Sequence, residues 1–315
     1  MSRKNKRRIL LWKSSFLFQI LSVVLFSLFS CAPAGKSILN LSENGEVFPF
    51  GVIADCQYCS DPGQGVRKYA MSVGKLEACV RHFNQMNLKY VVHLGDFIDR
   101  DYESFSEVIP IYNSLRAKEY HVLGNHDFSV ADEYKQKVPK LLDLKSRYYH
   151  FVVKDWRFVV LDGNDISFHA YAQHSEQYLR AETYYADNKI TSPKWNGAIS
   201  EMQLTWLEEQ LRDAVLKDQK VIIYCHFPVF PDNQHNLWNA EDVLAIIDQY
   251  PCVKAYFNGH NHAGNYALHN GVHFVTFKGM VDTEETSYAR VGVHFDRLEI
   301  KGFGREKSRT LKISR

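Results

Sequence analysis

The stretch "KYVVHLGDFIDRD", residues 89–101, decides the fold. An apolar strand runs into Gly95 and then places Asp96 and Asp99 within four residues. Carboxylates at the end of a buried strand cost desolvation unless something pairs with them. Taken alone, the stretch reads as a surface turn, opened by Gly95 and solvated by Asp99 and Arg100. The rest of the chain changes that reading.

The same pattern recurs. "EVFPFGVIADCQ" (46–57) reads as a buried strand ending near Asp55, and Val73, Leu76, Val80 and Phe83 follow at helical spacing. After a short helix around 103–116, "EYHVLGNHD" (119–127) is a third strand ending in glycine and polar groups. Strand–helix alternation of this kind implies a parallel sheet with helices on its faces. "YYHFVVKDWRFVVLDG" (148–163) reads as a hairpin turning at Lys154 and Asp155. Residues 164–199 are polar with little periodicity, and a loop of that length suits a functional lid. "SEMQ" (200–203) is a capping box, followed by Leu204, Leu207, Leu211 and Val215 on one helical face. "KVIIYCHFP" (220–228) is a strand ending in His226. Asn239 caps a helix carrying Val243, Ile246, Ile247 and Tyr250. "VKAYFNGHNH" (253–262) ends in His260 and His262, and 266–303 reads as mostly antiparallel strands. Residues 48–315 therefore form a single α/β domain with a mixed sheet.

The 315 residues are 45% hydrophobic, enough for a substantial core. The first 30 residues hold six basic side chains and no acid; the remainder has 32 basic against 36 acidic residues. That mildly acidic body argues against a nucleic-acid surface. A basic start followed by 17 uncharged residues, 14–30, reads as an export segment. "LFSC" (28–31) resembles a bacterial lipoprotein cleavage box with lipid on Cys31; an uncleaved anchor, which wants about 20 apolar residues, is the other reading. Residues 31–47 serve as a tether, and either reading places the domain outside the cytoplasm on a membrane. The remaining five cysteines are odd in number and scattered, so Cys56 and Cys59 read as buried thiols.

Five strands thus end in candidate ligands: Asp55 with Gln57, Asp96 with Asp99, Asn125 with His126, His226, and His260 with His262. Sites in open α/β sheets form beyond the carboxyl ends of the strands. Carboxylate, amide and imidazole donors suit Mn²⁺, Fe or Zn²⁺ without thiolate, and two divalent cations need a bridging carboxylate, for which Asp96 is well placed.

In order, "DCQ", "GDFIDR", "GNHD", "CH" and "GHNH", with "WLEEQL" between, resemble the signature of calcineurin-like metallophosphoesterases from Phe48 to His262. The resemblance implies a layered α/β/β/α sandwich of two mixed β-sheets flanked by helices. It implies one metal held by Asp55, Gln57, Asp96 and His262, and another by Asp96, Asn125, His226 and His260. His126 would face the substrate phosphate as acid or charge stabiliser, with Asp99 holding its imidazole and Arg100 contacting substrate. Gln57 stands where most members have histidine; its harder amide oxygen favours Mn²⁺ or Mg²⁺. Asp-x-Gln, "WNGAISEMQLTWLEEQL" and "GVHFVTFKGMVDT" resemble the subgroup of manganese-dependent ADP-ribose/CDP-alcohol diphosphatases, which implies hydrolysis of a small nucleoside diphosphate derivative.

Tyr58, Tyr184, Tyr185 and Trp195 are candidate faces for a nucleobase, with ordinary packing the alternative. His93 and His121 read as hydrogen-bonded core residues; His82, His150, His169, His174, His235, His269, His273 and His294 show no ligand pattern, with His235, in the loop after His226, the first exception to consider; Asp162 with Asn164 reads as a turn, and 284–290 as a solvated turn. Rival functions are a phosphomonoesterase or cyclic-nucleotide phosphodiesterase, and, from another class, a surface-anchored binding lipoprotein.

Overall fold

A computed structural model of the chain describes residues 45–313. The export segment over 1–30 lies outside them, as does the tether to residue 44; Glu46 and Val47, at the tether's end, belong to the first strand. Among the described residues no helix is long and apolar enough to cross a membrane.

The opening strands are β1 (Glu46–Ile53), β2 (Tyr90–His93) and β3 (Lys118–His121), paired in parallel. The hairpin β4 (Tyr149–Val153) and β5 (Trp156–Val160) turns at Lys154 and Asp155, as the spacing required. A small ribbon joins β6 (Ile166–Ser167) to β7 (Gly197–Ala198). Then come β8 (Lys220–Tyr224), β9 (Val253–Asn258), β10 (Asn265–His269), β11 (Val272–Thr276), β12 (Ser287–His294), β13 (Arg297–Gly304) and β14 (Arg309–Lys312). They assemble as two six-stranded mixed sheets, ordered β14-β13-β12-β1-β2-β3 and β10-β11-β9-β8-β5-β4.

The continuous apolar runs of β2, β8 and β9 are what a strand covered on both faces requires. Between the sheets lie Phe50, Tyr90, Phe158, Tyr224 and Phe257, all buried. Tyr90 and Tyr224, one from each sheet, share a buried hydroxyl hydrogen bond of 2.8 Å. The helices Ser72–Phe83 and Phe105–Tyr112 cover the first sheet through Leu76, Val80, Phe83 and Val108. The helices Glu201–Leu216 and Ala240–Ile247 cover the second through Leu207, Leu211, Val243 and Ile247. The result is the layered α/β/β/α sandwich.

Several local expectations are corrected. Residues 164–199 are not a structureless lid: they carry β6, β7 and the helix Glu176–Asp187, capped by Ser175 Oγ accepting from Tyr178 N. Val215 is 51% exposed, and Ala214 takes the inward place because the helical stripe turns by one residue there. Ser200 does cap the helix at 201, but Gln203 does not reach back. Its amide turns inward, accepting from Asp162 N at 2.8 Å and donating to Asp162 O at 3.0 Å, while Asp165 accepts from Ser200 N. Asn239 sits at a helix start yet spends its side chain on Ile199, accepting from its N–H and donating to its carbonyl. Ser287–Arg290 lie in β12 rather than in a solvated turn. Asp162 and Asn164 do form a turn, and buried Asp162 also pairs with Arg147 at 2.6 Å. His93 and His121 are buried, but His121 Nδ1 and His93 Nε2 lack partners; burial lowers both pKa values, that of His121 to about 4.

Replacing Gln203 with leucine strands the Asp162 N–H and carbonyl in the interior, and the expected loss is about 2–3 kcal/mol of unfolding free energy. Val215→Ala, on the exposed face, is expected to stay within about 0.5 kcal/mol of the parent. Urea titrations of the two variants compare them directly; equal midpoints would contradict the assignment of faces.

Candidate metal centre

All five strand ends come together. β1 delivers Asp55 and Gln57, β2 Asp96 and Asp99, β3 Asn125 and His126, β8 His226, and β9 His260 and His262. Each chain must bend sharply on leaving its strand. Asp55, Gln57, Asp96 and His260 adopt φ values of +49°, +43°, +57° and +66°, the left-handed region that side chains other than Asn and Asp rarely visit. Such strain concentrates where surrounding structure over-determines it. Here the determinants are Asp55 N donating to Gly95 O, Gln57 N to Asp96 O, and His260 N to Asp55 Oδ1 at 3.1 Å. Gly95 has φ +97°, and a Cβ on it would lie 2.6 Å from His226 Nδ1; one on Gly124 would lie 2.1 Å from Asp96 Oδ1.

At the centre, one ligand atom each of Asp96, His226 and His260 lie within 4.8 Å of one another. His226 Nε2 is 3.2 Å from both Asp96 Oδ2 and His260 Nδ1. Beside them, Gln57 Nε2 donates to Asp96 Oδ2 at 3.2 Å, and His262 Nε2 lies 3.5 Å from Asp55 Oδ1. Asp96 therefore faces both halves.

This donor set fits divalent cations. Gln57 Oε1 and Asn125 Oδ1 are buried acceptors without a partner, set among carboxylates and imidazoles. The nearby thiols do not compete: burial pushes Cys56 up to about 12 and Cys225 up to about 11, keeping both protonated.

Each imidazole is aimed by a partner on its far nitrogen, the arrangement that fixes tautomer and direction in metal sites. His226 Nδ1 donates to Leu94 O at 2.9 Å, His260 Nε2 to Asn196 Oδ1 at 2.9 Å, and His262 Nδ1 to Asp282 Oδ1 at 3.0 Å. Asn196 and Asp282 gave no signal in the sequence, being single polar residues with no spacing to mark them. Asp127 was visible within "GNHD" but unassigned. It accepts from Gly124 N at 2.8 Å, Asp96 N at 3.1 Å and Phe97 N at 2.7 Å, tying two ligand-bearing loops. Burial, reinforced by Asp96, pushes Asp127 up to about 7.

The rim carries His126, whose Nδ1 lies 2.9 Å from Asp99 O and 3.3 Å from Asp99 Oδ1, with its side chain 25% exposed. Arg100 is held across Asp99 at 2.7 Å and Asp61 at 3.2 Å, over the Tyr69 ring. Arg67 was not anticipated. Its backbone bridges to Asp282, and although burial lowers its pKa, Tyr69, Asp96 and Asp99 outweigh it and raise it. Of the four candidate aromatics, Tyr58 packs on the first outer layer, Tyr184 on the core of the 164–199 segment, and Tyr185 against Trp238. Trp195, 43% exposed, adjoins Asn196. The His235 ring lies 5.4 Å from that of His260. A separate cavity of about 550 Å³, lined by Tyr120, His121 and Phe151 among others, shares no residue with the centre.

The family model for calcineurin-like phosphoesterases matches residues 48–264. The chain belongs to that family. This phosphoesterase is a metal-dependent hydrolase. It is 30% identical to the manganese-dependent ADP-ribose/CDP-alcohol diphosphatase of Homo sapiens, covering 87% of this chain and 96% of the relative. The enzyme of that name from Oryza sativa is 29% identical, with 85% and 94% covered. A crystal structure of a dimetal phosphatase from Danio rerio superimposes with a TM-score of 0.78 at 26% identity, covering 85% of this phosphoesterase and 100% of that chain.

The carboxylates act on the imidazoles beside them. Burial lowers His226 and His262, but Asp96 and Asp55 respectively outweigh it and raise both to about 9; for Asp96 burial acts upward, and His226, His126 and His260 bring it down. A cation must displace those imidazole protons. Divalent-ion affinity is therefore expected to rise with pH through neutrality toward 9. Calorimetric titrations at pH 7 in buffers of different ionisation enthalpy should show net proton release; a count of zero would contradict this charge balance.

Proposed function

We propose that this phosphoesterase hydrolyses the phosphoanhydride of nucleoside diphosphates linked to a sugar or an alcohol, such as ADP-ribose or a CDP-alcohol. Two relatives carrying that activity in their names match over at least 94% of their length. The observation that carries the reading is Gln57 itself: a buried amide with an unpartnered oxygen stands beside Asp96, at a position where most members of the family place imidazole. That harder donor favours manganese or magnesium over zinc.

In this reading Asp55, Gln57, Asp96 and His262 would hold one cation, and Asp96, Asn125, His226 and His260 would hold the other. When bound, such a pair lowers the pKa of water and offsets phosphate charge. The chain's own residues do the rest. Water oxygen bonds to one phosphorus and gives up a proton to solvent, the bridging P–O bond breaks, and the products are a nucleoside monophosphate and a phosphorylated sugar or alcohol. His126, with Nδ1 held by Asp99, hands a proton from Nε2 to the departing oxygen. Arg100, steadied by Asp99 and Asp61, meets the second phosphate at the rim, and Trp195 offers its ring to the base. The export reading of residues 1–30 completes the proposal, with lipid on Cys31 holding the enzyme to a membrane outside the cytoplasm; mass spectrometry of the membrane-extracted N-terminus tests it.

A panel of substrates with Mn²⁺ tests the activity: release of AMP from ADP-ribose or CMP from a CDP-alcohol is expected to exceed phosphate release from simple monoesters and hydrolysis of cyclic nucleotides. Activity confined to monoesters would exclude the proposal. Gln57→His is expected to move the activating-metal preference toward Zn²⁺ or Fe by at least several-fold in a metal titration. An unchanged preference would count against the donor argument.

A further inference from the structure

The connection from β11 to β12, residues 277–286, supports one half of the centre from beneath. Asp282 holds His262, and a Cβ on Gly279 would lie 2.7 Å from His262 Cγ. Met280 N donates to Ala54 O at 2.9 Å and Val281 N to Asp55 O at 3.0 Å, so the same segment runs beside Asp55. What keeps this segment in place is not its own packing alone.

Lys75, on the helix Ser72–Phe83, is 6% exposed and, among the described residues, pairs with no carboxylate. Its Nζ donates to successive carbonyls, of Met280 at 2.8 Å, Val281 at 3.0 Å, Asp282 at 3.4 Å and Thr283 at 2.7 Å. Arg305, in the turn between β13 and β14, donates to Gly279 O through Nη2 and to Glu285 O through Nε at 3.3 Å. Five consecutive carbonyls, 279 to 283, therefore converge on two cationic side chains. A buried ammonium is expensive unless dipoles replace its water, and here every dipole comes from the segment that carries Asp282.

We propose that Lys75 is a positioning residue for one of the two metal sites: by gathering these carbonyls it fixes Asp282, and through Asp282 and Val281 it fixes His262 and Asp55. Arg305 secures the same segment at its two ends, through Gly279 and Glu285. The proposal rests on the two-cation reading of the centre but not on the choice of substrate. It predicts an asymmetric effect, because His226 and His260 are aimed by Leu94 and Asn196, which Lys75 does not touch.

The test is Mn²⁺ binding to the full chain, read by equilibrium dialysis and by electron paramagnetic resonance of bound ion. The parent is expected to bind two ions. Lys75→Ala is expected to keep one at parental affinity and to bind the other at least tenfold more weakly. Methylammonium, refilling the vacated space, should restore the second ion, whereas sodium at equal ionic strength should not. Two sites of parental affinity in Lys75→Ala, equal weakening of both, or restoration by sodium as well as methylammonium would each overturn the proposal. If Lys75→Ala fails to fold by circular dichroism, Arg305→Gln, at a partly buried position, supplies the decision: a roughly threefold loss at one site supports the proposal, and parental binding at both overturns it. A parent binding fewer than two ions would bring down the centre's reading and this proposal together. Failure of nucleotide hydrolysis, with two ions bound and one lost on substitution, would remove only the proposed substrate.

Discussion

Asp96 is the constraint on which the molecule turns. Its carboxylate, 1% exposed, receives the His126 N–H on one oxygen and faces Gln57 and His226 on the other. Its backbone N–H donates to Asp127 and its carbonyl accepts from Gln57. A buried carboxylate is tolerable only with such a shell of donors or cations around it. The shell comes from β1, β3 and β8 as well as from β2's own continuation. Satisfying one charge thus obliges strands from both sheets to end at the same edge.

The inter-sheet core enforces that meeting from below. Tyr90 and Tyr224 join hydroxyls across the interface, and Phe50 stacks on Tyr90 with ring centroids 4.8 Å apart. Tyr90 lies on the strand that leads to Asp96, and Tyr224 two residues before His226. Packing of large rings in fixed rotamers is stiff, so the strand ends hold their separation without help from the loops. The loops then need only to turn and to present polar groups, which is why they can be short and rich in glycine.

Much of this was legible in the residues. Apolar runs ending in Gly, Asp, Asn and His announced both the parallel strands and the converging side chains, because both depend on short-range pattern. The supporting partners were not legible. Asp282 lies 20 residues from His262, and Asn196 64 residues from His260, at no periodic spacing. The helix Glu176–Asp187 escaped notice because it buries only Ala181 and so lacks an apolar stripe. Ser287–Arg290 were hidden by polar composition, although their burial comes from pairing between β1 and β13. Gln203 and Asn239 illustrate a further limit. Asn239 occupies a helix cap and Gln203 the capping-box position three residues after one, but tertiary contacts offered each amide a carbonyl and an N–H elsewhere, and those partners won.

The left-handed bends at Asp55, Gln57, Asp96 and His260 narrow the changes that a lineage can accept. Valine, isoleucine and threonine crowd their own backbone in that conformation, whereas glycine, asparagine and aspartate adopt it at little cost. Copies that gave up hydrolysis would therefore surrender the carboxylate long before the bend, drifting to Asn or Gly rather than to branched aliphatics. A pseudoenzyme descended from this chain would keep the outline of the turns as a fossil of the chemistry they once served.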